Sequence, residues 1–110
     1  LNLSWMLLGI AGLLEIAFAF GMKWSVGFSR PGPSLYAIVT GISSIFLLTL
    51  SLRVLPVGTA YAVWTGIGAA GTAMVGMLFL GESTSIARIA CIGLILCGVI
   101  GLKLASPAVH

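Results

Sequence analysis

An all-α membrane protein of four spanning helices is the fold class this sequence predicts, and three observations predict it. Of its 110 residues 60% are apolar and only 6% are charged, against about 25% charged residues in a soluble domain. Mean hydropathy is +1.24. The apolar residues also fall into four stretches, each about 20 residues long, which at 1.5 Å per residue crosses a hydrocarbon core about 30 Å thick. No separate soluble domain fits beside them, so residues 1–110 read as a single transmembrane domain.

The first span runs from about residue 3 to residue 22. A Glu near its centre and the lack of a small-residue cleavage site at its end separate it from a secretory signal, so it is kept in the fold. The second span, 34–52, follows a connection holding Pro31-Gly32-Pro33. The third, 59–80, follows Arg53–Gly58 with Pro56, and the fourth, 86–104, follows Gly81-Glu82-Ser83-Thr84-Ser85. These connections hold most of the polar residues, as chain leaving hydrocarbon must. Their shortness forces neighbouring helices to be antiparallel, which gives an up-down-up-down bundle. The opening Leu1 suggests a missing start Met, and the tail Ala108-Val109-His110 carries no expectation.

The net charge of +3 would suggest a nucleic-acid partner in a soluble chain. Here the basic residues sit singly at helix ends and read as interfacial anchors, with no nucleic acid implied. Four spans place Lys23, Arg30 and Arg88 on one side and Arg53 and Lys103 on the other. So even a split favours insertion in both orientations, and two inverted copies would form the inverted repeat that alternating access uses. The expected assembly is an antiparallel, dual-topology homodimer. Gly93, Cys97 and Gly101 recur every fourth residue of the last helix, a stripe of small residues that suits a dimer contact. Cys91 and Cys97 have neither metal nor redox spacing and read as buried free thiols.

Glu15 is the one carboxylate at membrane depth, about 4 Å from the bilayer centre along the axis. An ionised acid there costs roughly 2.5 kcal/mol or more on permissive insertion scales. With no Lys, Arg or His at matching depth, the acid is expected to hold a proton until a cation takes its place. That competition is sufficient for antiport of a proton against a cation. The other reading is a protonated acid clasping two helices together.

Gly12, Phe18 and Ala19 share the Glu15 face of the first helix, with Phe18 either a pocket wall or a packing residue. In the third helix Tyr61, Trp64 and Gly68 share a face; a tyrosine hydroxyl could orient the carboxylate and an indole suits a dehydrated cation. Ser44 is expected to donate to the carboxylate or to a carbonyl of its own helix. Gly66, Gly68 and Gly71 in the third helix mark either a bend or close packing. There is no P-loop, no pair of His ligands and no nucleophile with a base. The expectation is a protein that is not an enzyme and uses no cofactor and no metal.

Beyond this reading, the chain resembles the small multidrug resistance transporters, and within them the guanidinium-exporter branch, over about residues 4–104. The resemblance rests on Gly12-Leu13-Leu14-Glu15, Gly27-Phe28-Ser29-Arg30, Pro33-Ser34, the long run Leu55-Pro56-Val57-Gly58-Thr59-Ala60-Tyr61-Ala62-Val63-Trp64-Thr65-Gly66-Ile67-Gly68, Gly81-Glu82-Ser83 and Gly101-Leu102-Lys103. It implies an antiparallel homodimer in the bacterial inner membrane, with one pocket shared by two matching glutamates and proton-coupled export by alternating access. It also implies that Glu15 binds proton and substrate, that Tyr61 and Trp64 are pocket aromatics, and that Ser44 is a polar partner of the glutamate beside Gly12. A guanidinium suits such a pocket, because its planar fork of N–H donors pairs bidentately with a carboxylate. Where that branch usually has Trp this chain has Phe18, which removes an indole N–H. That change motivates an alternative reading as an exporter of quaternary ammonium or other hydrophobic cations. A non-transporting partner subunit is the reading from a different class.

Overall fold

A computed structural model describes residues 3–105 of the chain; Leu1 and the tail Ala108–His110, on which the sequence raised points, lie outside them. Four helices run in order: α1 (Leu3–Trp24), α2 (Pro31–Ser51), α3 (Val57–Phe79) and α4 (Ile86–Ala105). All four are long and apolar enough to cross a membrane.

The helix ends depart from the expected ones where proline is involved. α2 starts at Pro31 rather than residue 34, because a proline in the first helical turn needs no N–H partner and already has a helical φ. α3 likewise starts two residues early, at Val57, directly after Pro56. α1 continues two residues further than expected, through Lys23 and Trp24, where the lysine faces the negative end of the helix dipole.

The connection from α1 to α2 is a compact turn built on Ser25, whose residue is fully buried. Its hydroxyl donates to the Met22 carbonyl at 2.7 Å and accepts from the Phe28 N–H at 3.0 Å. Its carbonyl accepts from the N–H groups of Ser29 and Arg30 at 2.9 and 3.0 Å. Val26, Gly27 and Phe28 take successive φ values of 50°, 69° and 62°. A left-handed conformation costs roughly 1–2 kcal/mol per non-glycine residue, so the Ser25 hydrogen bonds offset a backbone that glycine alone adopts freely.

Packing follows the glycines. α1 and α2 run antiparallel, since Gly21 lies against Tyr36 and Ala37 while Gly41 lies against Phe18. α1 and α3 run parallel, since Gly12 lies against Ile67 and Gly71 against Ile16. α4 returns antiparallel along α3, with Gly66 against Val99 and Ile95. Leu8, Ala11, Leu48, Leu55, Ala60, Val63 and Trp64 form a buried cluster toward the Arg53 and Lys103 end. There Lys103 Nζ lies 5.0 Å from the Trp5 ring centroid, an anchored interfacial cation.

α4 packs mainly on α3, touching α1 where Lys103 meets Trp5, and of its residues only Ile92 is buried. This corrects the expectation for the cysteines. Cys91 and Cys97 are free but exposed within the single chain, because nothing in it covers the outer face of α4.

The left-handed turn makes a prediction with a sign. Val26→Gly should stabilise the protein, by up to about 1 kcal/mol, whereas Val39→Gly inside α2 should cost about 1 kcal/mol. Thermal unfolding in detergent compares the two; equal losses would contradict a left-handed Val26.

Candidate functional site

Glu15 stands on the α1 face that meets α3, half-buried, and makes no hydrogen bond or ion pair among the described residues. It fits because α3 has a glycine opposite: a Cβ at Gly68 would stand 2.7 Å from Glu15 Cγ and 3.3 Å from its Cβ. Gly68 thus lets the helix backbone run directly past the carboxylate-bearing stem. α3 itself is helical from Val57 to Phe79 without interruption.

Beside this contact opens a cleft of about 430 Å³. Glu15 and Ala19 line it from α1, and Thr65, Gly68, Ala69, Thr72 and Ala73 line it from α3. The α3 residues recur at three and four, one stripe of a helix, and all are small. The cleft ends at Glu82 and Arg88, which form an ion pair of 2.7 Å between Arg88 Nη2 and Glu82 Oε1. From the level of Gly68, which faces Glu15, to that of Gly76, which faces Glu82, the rise is about 12 Å. The cleft therefore leads from mid-membrane to the end of the bundle that carries Lys23, Arg30 and Arg88.

The threonines of the cleft differ from those of α2. Thr40 Oγ1 donates to the Tyr36 carbonyl at 2.8 Å and Thr49 Oγ1 to that of Ile45 at 2.8 Å, each four residues back in its own helix. Thr65 and Thr72 make no hydrogen bond among the described residues, so their hydroxyls are available along the cleft wall. Neither was singled out from the sequence, although the stripe of small and hydroxyl residues at helical spacing was visible there. Glu82 and Arg88 were missed because the fold of a loop brings them to the cleft.

Gly12, Phe18, Ser44, Tyr61 and Trp64 do not line this cleft of the single chain. Ser44 reaches neither Glu15 nor a carbonyl of its own helix. Its hydroxyl donates to the Ala11 carbonyl of α1 at 2.6 Å and accepts from the Trp64 indole of α3 at 2.9 Å. The reason is register: Ser44 is fully buried where three helices meet, one turn below Glu15. Trp64, 9% exposed, belongs to the buried cluster rather than to a cleft wall. Tyr61 is 56% exposed, meets Trp64 in a tilted ring contact with centroids 5.4 Å apart and makes no hydrogen bond among the described residues. Phe18 lies over Gly41 of α2, and Gly12 lies under Ile67. Around Gly98 and Gly101 a Cβ would meet nothing, and the same holds at Gly93, so that face of α4 is open.

Four long apolar helices, with a carboxylate at mid-depth in a cleft between α1 and α3, define a multi-pass membrane protein. Residues 3–95 match the Small Multidrug Resistance protein family, and the chain belongs to it. Among its relatives, a guanidinium exporter of Yersinia pseudotuberculosis is 59% identical over 104 residues, which are 94% of this chain and 100% of that protein. A guanidinium exporter of Citrobacter freundii is 56% identical over 104 residues, 94% of this chain and 99% of its own length. One from Salmonella typhimurium strain LT2 is 54% identical with the same coverage.

The Ser44 junction carries two predictions. Ser44→Ala removes the acceptor of a buried indole N–H and should lower stability by about 2 kcal/mol, whereas Trp64→Phe leaves the Ser44–Ala11 bond and its hydrogen-bond loss should be nearer 1 kcal/mol. Thermal unfolding in detergent orders the two. Gly68→Ala should leave the fold intact but push the Glu15 stem aside. Because a displacement of about 1 Å can cost roughly 10²-fold in rate, cation flux in liposomes should fall far more than stability does.

Proposed function

We propose that the protein is a proton-coupled antiporter that exports guanidinium and small substituted guanidinium cations by alternating access. The observation that carries this reading is a carboxylate at mid-membrane, without a basic partner among the described residues, at the inner end of a cleft that leads to one end of the bundle. An isolated acid at that depth is stable with a proton or with a cation, and the exchange of one for the other is the coupling step. The names and high identity of the relatives support guanidinium as the cation. So does chemistry, since a planar fork of N–H donors matches a carboxylate.

Phe18 was the motive for a quaternary ammonium substrate. Its ring lies over Gly41 of α2, off the cleft, which leaves the cleft wall of the single chain unchanged by the missing indole.

The working unit of this proposal is an antiparallel homodimer in the bacterial inner membrane, its subunits inserted in opposite orientations. The near-even distribution of Lys and Arg between the two ends supports this, as does the open face of α4 at Gly93, Cys97 and Gly101.

In liposomes holding the purified chain, a guanidinium gradient is expected to drive protons the opposite way. Glu15→Gln should abolish this, and tetraalkylammonium ions should compete poorly. Proton movement driven equally well by the bulky ions would make the chain a multidrug exporter, and no movement with either would make it a partner subunit. Ser83→Cys, in a protein with Cys91 and Cys97 replaced, should react with impermeant thiol reagents from both sides of the membrane. Reaction from one side alone would end the dual-topology proposal.

A further inference from the structure

Glu82 is held by the backbone rather than left on a free loop. The N–H groups of Leu80 and Glu82 both donate to the Gly76 carbonyl, at 3.0 and 3.2 Å, and Gly81 turns the chain back with a φ of 68°. This closure of the α3 C-terminus lays the Glu82 carboxylate against the Cα of Gly76, in space that any larger residue would fill. Arg88 is fixed with similar care. It stands in the first turn of α4, its N–H donating at 3.2 Å to the hydroxyl of Ser85, the residue just before the helix.

The contact between them is incomplete. One N–H of Arg88 meets one oxygen of Glu82, although a guanidinium and a carboxylate can form two parallel hydrogen bonds. Glu82 Oε2 makes no hydrogen bond among the described residues. Arg88 Nε is buried and also has no partner among them. The two side chains are 33% and 40% exposed, and a pair so open to water is weakly held. A free guanidinium carries the same group as the Arg88 side chain, without the tether that keeps Arg88 from the bidentate geometry. Glu82 is on the cleft lining, where such a cation can meet it. Below it Thr72 stands one helical turn from the levels of Gly76 and Gly68, about 6 Å along the axis each way, with its hydroxyl unused.

We propose that the Glu82 carboxylate is an outer cation site, occupied at rest by the guanidinium of Arg88, which an arriving guanidinium-type cation displaces before it passes Thr72 to reach Glu15. Arg88 acts as a tethered imitation of the cargo: it blocks the site against ions that cannot replace a planar N–H fork and yields to those that can. The cargo chemistry rests on the guanidinium reading given above.

The test separates the outer site from the inner one. In Glu15→Gln protein in bicelles, guanidinium chloride is titrated against sodium chloride of equal ionic strength while the side-chain Nε resonances of the three arginines, Arg30, Arg53 and Arg88, are followed. Arg88 alone should shift saturably with guanidinium. Adding Glu82→Gln should remove that response, and Arg88→Lys should tighten guanidinium binding as read at the Ser83 amide, because an ammonium offers no fork. Both changes conserve size, and circular dichroism confirms the helices. In the transport assay Glu82→Gln in the otherwise native chain should raise KM for guanidinium about fivefold, the most an exposed pair is worth, with little change in kcat. No saturable shift, an equal shift with sodium, or a shift that survives Glu82→Gln would overturn the outer site. Transport that proceeds without any Arg88 response would refute this site alone. A clear Arg88 response in a chain that moves no protons would instead keep the site and refute the antiport reading.

Discussion

One hydroxyl ties three of the four helices together. Ser44 has a single proton to give and gives it to the Ala11 carbonyl, which leaves its oxygen to accept the Trp64 indole N–H. Within hydrocarbon there is no water to take either place, so α1, α2 and α3 are held in the one register that satisfies all three groups. Ala11 lies one helical turn before Glu15, and Trp64 one turn before Gly68. The same junction therefore fixes the level at which carboxylate and glycine meet. Loss of the hydroxyl would orphan a buried N–H at the floor of the site, which is why the register matters more here than the modest net worth of one hydrogen bond.

Between those fixed points the helices approach through small residues. Lipid is as apolar as leucine, so burial alone gives little preference for one helix contact over another, and close fit decides instead. Gly12, Gly21, Gly41, Gly66, Gly68 and Gly71 each admit a side chain from a neighbouring helix. At most of them the visitor is apolar and the gap is filled. At Gly68 the visitor is a carboxylate stem, and the residues that follow on the same α3 stripe stay small with nothing packed over them, so that the space remains a cleft. Packing and site thus use the same device and differ only in whether the next residue fills the groove.

The parts of this molecule legible in the sequence were those set by the solvent. A hydrocarbon slab demands about 20 apolar residues per crossing, so the four helices could be read directly, and an acid inside one of them stood out at Glu15. What depends on the rotation of one helix against another was not legible. Ser44 was offered two partners from its own surroundings and took two others across interfaces. Trp64 was read as a cation-facing indole; what only the structure gives is that its N–H is taken by the Ser44 hydroxyl and its ring joins the buried cluster of the single chain. Cys91 and Cys97 were read as buried because their spacing has no metal or redox signature, but an inert thiol in a membrane helix can equally sit on a face turned to lipid or to another chain. Glu82 sits near Arg88 in any reading of the sequence, but only the backward turn at Gly81 brings the pair over Gly76 and into the cleft.

The two halves of the chain are unlike, and this bears on how it works. Toward the Arg53 and Lys103 end, α1, α2 and α3 close on the buried cluster of Leu8, Leu48, Val63 and Trp64, with a smaller apolar cavity of about 220 Å³ beside it between α1, α3 and α4. Toward the Arg30 and Arg88 end, the same α1 and α3 leave the open cleft above Glu15. A single chain thus offers its carboxylate a path in one direction and a packed floor in the other. An inverted second copy would set a packed half beside each open one, so that two identical sequences confront each other with opposite accessibilities at the level of Glu15. If the two copies of such a pair took different shapes, exchanging those shapes would give the same pair viewed from the opposite side of the membrane, so that switching would need no new contact. The two arrangements of such a pair would then have equal energy in a bilayer without gradients, and whatever occupied the carboxylates would bias the passage between them.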